Sequence, residues 1–166
     1  TPIDFILNGG NGDDVMTDSA WSLGELDFNG GNGNDTMILS GTAFGNAYCD
    51  NYGVVSDQYV IPLTSVENLV FDASTPSDAL TVGPYPYNGQ ITFNGIAGGN
   101  NGLTVVSNPN NNNAFVATAS SVAVDGQTVA FSNVAVLDLQ GNGSGNSVSV
   151  TGTSGDDTFD SFALSS

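Results

Sequence analysis

Aspartates set into glycine turns are the residues of this chain best placed to do chemistry. Gly9-Gly10-Asn11-Gly12-Asp13-Asp14-Val15-Met16 returns further along as Gly30-Gly31-Asn32-Gly33-Asn34-Asp35-Thr36-Met37. A carboxylate beside exposed turn carbonyls offers oxygen ligands only, the set that a hard cation such as Ca2+ takes. A second use of the same residue is to close its own turn by accepting backbone N–H groups. Other reactive side chains are scarce: there is no Lys, Arg or His, and the one cysteine is Cys49. No side chain is therefore a base near neutral pH, and nothing in the sequence activates the thiol. Asp13-Asp14 and Asp156-Asp157 are chain neighbours, whereas a glycosidase needs its two carboxyls opposed across the substrate. The expectation is a protein without catalysis.

Composition narrows the partners. The 17 acidic residues are balanced by no basic one, for a formal net charge of −17 over 166 residues, and 39% of the chain is apolar. Such a chain repels phosphates and anionic headgroups, so nucleic acid and anionic membrane surfaces are excluded as partners, and divalent cations are expected. The absence of Arg and Lys also argues against β-helical enzymes that degrade pectin, whose substrates are polyanions. No stretch has the length of a membrane span. Thr1 suggests a processed product or a piece of a longer chain, and the lack of tryptic sites suits an extracellular or cell-surface location. Cys49 is expected to be a buried apolar residue or to bridge two chains.

The elements that position the turns come from an internal repeat. Leu26 to Thr42, LDFNGGNGNDTMILSGT, aligns without a gap on Leu137 to Thr153, LDLQGNGSGNSVSVTGT. A further copy runs from Leu69 to Gly83, and partial ones begin at Phe5 and Val148. Ile91, Phe93 to Leu103, Val105 reads as a weaker copy with one insertion. Apolar residues alternate within each copy, the period of half-buried strands, and no helical period is sustained. The intervals from Phe5 to Leu26, from Leu26 to Leu69 and from Leu69 to Leu137 read as one, two and three turns of a coil. From Leu137 to Val148 is half a turn. The expected fold is a single all-β domain over residues 1–166. It is a β-solenoid, parallel β-helix or β-roll-like, of about seven or eight coils of about 22 residues. A β-sandwich is the alternative, supported by Val122 to Val129, where Asp125-Gly126 between alternating apolars signals a hairpin. The stretch from Asn108-Pro109 to Asn113 is expected as a surface loop.

Gly9 to Thr17 and Gly30 to Ile38 match G-G-x-G-x-D-x-U-x, and Gly152 to Asp160 matches all but its second glycine. These turns resemble the nonapeptides of RTX (hemolysin-type calcium-binding) repeats of bacterial extracellular proteins. The resemblance implies structural Ca2+ held between stacked turns by turn carbonyls and by Asp14, Asp35 and Asp157. It covers those three turns and no more of the chain. The turns here are solitary rather than tandem; the Leu69 copy replaces its glycines with Ala73, Ser74 and Pro76, and the Leu137 copy has Asn146 in place of the aspartate.

Function follows from the open ends of such a stack. Asp157 of one copy would lie one coil length before Asp14 of a second joined to it. Copies of the chain are thus expected to assemble head to tail as a subunit of an extracellular fibre, filament or surface layer. The alternative is an adhesin or glycan-binding module of a larger calcium-binding surface protein. Trp21, Tyr48, Tyr52, Tyr59, Tyr85 and Tyr87 are expected to pack at corners or to form a sugar platform. Asn34 and Asn142 begin glycosylation sequons.

Overall fold

The computed structural model describes residues 5–19, 26–40, 46–56, 60–85, 87–110, 112–142, 144–152 and 154–155. Among them are sixteen strands and no helix. The first group is β1 (Phe5–Asn11), β2 (Val15–Asp18), β3 (Leu26–Asn32), β4 (Thr36–Ser40), β5 (Asn46–Asp50) and β6 (Gly53–Ser56). There follow β7 (Val60–Thr64), β8 (Asn68–Asp72), β9 (Ala79–Val82), β10 (Gln90–Asn94) and β11 (Gly102–Val106). The last are β12 (Ala114–Ala117), β13 (Ser121–Val124), β14 (Gln127–Ser132), β15 (Val136–Gln140) and β16 (Ser147–Val150).

The strands form two eight-stranded sheets of mixed direction, one in the order β1-β3-β7-β6-β5-β9-β11-β15 and one in the order β16-β12-β13-β14-β10-β8-β4-β2. Consecutive elements mostly alternate between the sheets, so a strand finds its parallel partner only after the chain has visited the other sheet. The shortest steps pair Leu7 with Phe28, Leu69 with Ile91 and Leu80 with Leu103. Longer steps occur where strands are inserted. Phe28 pairs with Leu63 across β5–β6–β7, and Ile91 with Val129 across β12–β13–β14. Both insertions pair antiparallel. The second contains the expected hairpin: Val124 faces Gln127 across Asp125-Gly126, both at positive φ (54° and 84°), as a two-residue primed turn requires.

The repeat has a different spatial meaning from the one its spacing suggests. Leu26 lies in β3 of the first sheet, Leu69 in β8 of the second and Leu137 in β15 of the first. The two longer intervals between copies are therefore not whole numbers of one uniform coil. Copies differ in which sheet they start from, and the two insertions lengthen the path between them. Leu137 and Val148, half a step apart, do fall on opposite sheets.

Alternation decides which side chains go inward. Met37, Leu39, Leu69, Phe71, Ile91 and Phe93 of the second sheet form one core with Leu80, Val82, Leu103 and Val105 of the first. Each large side chain buried this way stabilises the fold by about 1.5–3 kcal/mol. Cys49 is fully buried in that core. Burial first, and then the Asp50 charge, pushes its thiol well above the ordinary value. No helix among the described residues is long and apolar enough to cross a membrane.

Candidate functional site at the glycine turns

The two glycine turns join β1 to β2 and β3 to β4, crossing from the first sheet to the second. They stack in register, Gly10 against Gly31 and Asn11 against Asn32, with Asn32 Nδ2 donating to Asn11 Oδ1 at 2.9 Å. Gly10 and Gly31 have φ of 102° and 104°, a conformation that costs other residues dearly. Gly9 and Gly30 are needed for a separate reason. A methyl group on Gly30 would strike the Ser65 carbonyl, and also Asp35 Cβ and Oδ2; one on Gly9 would strike the Gly30 carbonyl and Asp14 Oδ2. The carboxylate of each turn is thus laid against the α-carbon of that turn's first glycine.

Asp35 is completely buried and Asp14 half-buried. The Asp14 amide donates to Asp35 Oδ1 at 2.8 Å, and the Asp35 amide donates to Glu67 Oε2 at 2.8 Å. Acidic side chains and backbone amides therefore alternate from layer to layer. This relieves part of the like-charge contact that stacked aspartates would otherwise suffer. The Asn34 amide extends the pattern by donating to Asp13 Oδ1 at 2.9 Å. Among the described residues, Oδ2 of Asp14 and Oδ2 of Asp35 are both buried with no hydrogen-bond partner. An unpaired buried acceptor costs about 1–3 kcal/mol, and more when charged.

Among the described residues neither aspartate closes its own turn with a hydrogen bond from that turn's amides; Asp35 instead receives the amide of the neighbouring layer. Own-turn closure is found at Asp78, the equivalent residue of the Leu69 copy. Its Oδ2 accepts the Ser74 and Thr75 amides at 2.8 and 2.9 Å, and Thr75 Oγ1 bonds Oδ1. Neutral residues fill the equivalent place in other turns. Asn101 Oδ1 accepts the Ile96 amide while its Nδ2 donates to the carbonyls of Thr75 and Asp78. Asn146 Oδ1 accepts the Asn113 amide.

The two unpaired oxygens suit a hard cation in kind, with the Gly30 and Ser65 carbonyls on the same glycine faces. Among the described residues no three acidic, Cys or His side chains converge, so a cation here would take two carboxylates at most. Asp157 lies outside the described residues, as do Trp21 and Tyr59.

The structure adds residues that the motif did not single out. Glu67, in a turn without glycine, continues the acid–amide chain because β7 and β8 stack on β3 and β4. Asn113, expected in a surface loop, is 1% exposed, and its Nδ2 donates to Ser107 Oγ and to the carbonyls of Asn108 and Asn142. The signal for it was available: Asn113 stands close to half a repeat beyond Asn101 and Leu103, the half-step already visible between Leu137 and Val148. Tyr87 packs inward, its hydroxyl donating to the Val66 carbonyl at 2.5 Å, while Tyr52 and Tyr85 are exposed. Burial, with Asp50 next in weight, raises the Tyr48 phenol above its ordinary value. Compared with family models, with curated proteins and with solved structures, the chain finds no match in any of the three.

Proposed function

We propose that this protein is a non-enzymatic structural subunit of an extracellular fibre, filament or surface layer, built as a β-solenoid and stacked head to tail. One observation carries the reading: among the described residues the core-facing rows become exposed at both ends of the sheets. Val148 of β16 is in register with Phe115, yet it is 57% exposed where Phe115 is 1% exposed. Leu7 of β1 is in register with Phe28 and is 40% exposed against 3%. Both sheets end on β1 and β2 at one side and on β15 and β16 at the other. Apolar, open strand edges are what proteins normally blunt or cover. A second copy set on the end would cover both rows, and a contact of this heterologous kind propagates instead of closing.

On this reading the described strands make six coils rather than seven or eight. Twelve strands form the coils, and two antiparallel hairpins contribute four more. RTX-like calcium binding at Asp14 and Asp35 belongs to the same proposal, as a structural Ca2+ that stiffens the first two coils. Support comes from the paired and unpaired oxygens of the turns: these two aspartates keep a buried oxygen without a donor, whereas Asp78 does not.

Electron microscopy of the protein in Ca2+ at about 1 mM, the range of weak extracellular sites, and again in chelator tests both parts. Filaments that fray in chelator are the expected result. Filaments indifferent to chelator would keep the fibre and remove the metal. Monomers in both conditions would overturn the fibre in favour of an adhesin or glycan-binding module of a larger surface protein.

A further inference from the structure

The outward face of the second sheet is almost free of charge in a chain of net charge −17. Its strands send Met37, Leu69, Ile91 and Val129 inward, so the residues between them point out. Register places Thr17, Ile38, Val70, Thr92, Ala130 and Ser121 in one outward row across six strands. Val116 on β12 adds an apolar side chain that is 48% exposed. Among the outward positions of the eight strands the single charged residue is Asp72, and Asn94 Nδ2 donates to it at 2.8 Å. The first sheet differs: Asp27, Asp50 and Asp138 all alternate with its core residues and point out.

From this segregation we infer that the second sheet's outer face is a lateral interface between two copies of this chain, packed face to face. Two polyanions repel over most of their surfaces, and approach costs least where neither presents carboxylates. Rows of β-branched and small side chains on strands about 4.8 Å apart are of the kind that interdigitate between stacked sheets about 10 Å apart. Among its described outward residues the face has no aromatic ring on which a sugar could stack and no cation for an acidic partner. Eight strands about 4.8 Å apart and about five residues long give roughly 600 Å2 per copy. That is short of the roughly 800 Å2 per partner of a stable complex, so a single pair is weak. Contacts of this size add along a stack, where neighbouring subunits raise one another's effective concentration. The pairwise contact uses residues other than those of the end-to-end contact; only its strengthening along a stack rests on the proposed function.

Sedimentation equilibrium of the full chain across a salt series tests it, with electron microscopy of the same samples. Pairing should tighten as salt screens the carboxylates outside the interface, the reverse of what a salt-bridged contact does. Ile38→Asp with Thr92→Asp should weaken pairing by at least about tenfold while circular dichroism shows the fold intact, because like charges would then face one another. Asp72→Asn, which keeps an acceptor for Asn94, should tighten pairing by about two- to fivefold on the same ground. Val148→Asp, placed at an end, should abolish filaments and with them the gain from stacking, and leave the weak pairing of single subunits with its salt dependence. A wild-type chain that never pairs laterally at any salt would overturn the inference. So would pairing indifferent to Asp72→Asn and to the double substitution, or a monomer that adsorbs to an insoluble polysaccharide through this face.

Discussion

The turn at Asp35 and the turn at Asp78 hold the same residue at the same place in the repeat and satisfy it in opposite ways. Around Asp78 the sequence supplies Ser74 and Thr75, whose amides and a hydroxyl surround the carboxylate. Around Asp35 it supplies glycines that take positive φ, and the carboxylate lies against the Gly30 α-carbon with one oxygen unpaired. The difference is one of backbone direction. A turn whose amides converge on its aspartate is finished; a turn whose glycines aim them elsewhere leaves an acceptor for another donor or for a cation. Under the proposed function, a structural and a metal-binding role would be divided between two copies of one repeat.

The largest effect should come from filling the space that the glycine turn leaves open. Gly30→Ala is expected to destabilise the fold by about 3 kcal/mol, because the methyl group meets backbone of the next layer as well as Asp35. Gly102→Ala is the control. Its methyl group would have only Ala79 Cβ, at 3.8 Å, nearby, so a change within about 1 kcal/mol is expected. Urea unfolding of both variants in chelator would decide; equal costs would show that the turn is not close-packed.

Calcium should separate the two aspartates. At a hundredfold excess over Kd, Ca2+ would stabilise the wild-type chain by about 2.7 kcal/mol. Asp35→Asn should lose that increment, yet in chelator it should be no less stable than wild type, since Asn occupies the equivalent position at Asn101 and Asn146. Thermal melts with and without Ca2+ measure this. An Asp35→Asn variant that is badly destabilised in chelator would mean that the carboxylate is wanted for itself.

Asp78→Ala should behave in the contrary way, costing about 2 kcal/mol in Ca2+ and in chelator alike, as two amides lose a charged acceptor. A calcium-dependent cost there would erase the distinction between the turns.

The smallest effect concerns alkali. In the folded chain Cys49 and Tyr48 ionise above their ordinary values of 9.0 and 10.0. Above those values the unfolded chain therefore gives up these protons more readily than the folded one. Their contribution to stability is complete below that range and is lost as pH rises through the raised folded values. Stability should fall from about pH 9 upward, and Cys49→Ala should make the fall shallower by the share of one proton. A pH series of denaturant midpoints would show it, and an unchanged slope would mean that the thiol ionises in the folded protein.

Much of this is legible in the amino-acid order. Period-two alternation identifies strands such as β3, β4, β8 and β9, and the Asp125-Gly126 hairpin is visible from the turn chemistry alone. The twin glycine turns and their even spacing also anticipate the stacking of Gly10 on Gly31. What stays hidden are partners set by distant register. Glu67 receives the Asp35 amide from a turn that lies on the far side of the first inserted hairpin, a separation that no motif encodes. The division of charge between the two outer faces is hidden for the same reason, since it exists only once each strand has been assigned to a sheet.

The strands, the inward and outward sides of each, the left-handed glycines and a surface with no cation on it all follow from the order of residues. They are local properties of side-chain spacing, backbone freedom and composition. Three things had to wait for the folded chain: which sheet each copy of the repeat joins, that Asp78 is satisfied while Asp14 and Asp35 are not, and that one sheet faces outward almost uncharged. Alternation tells a strand which side is in, but the identity of its neighbours depends on how much chain the turns and insertions consume between one layer and the next.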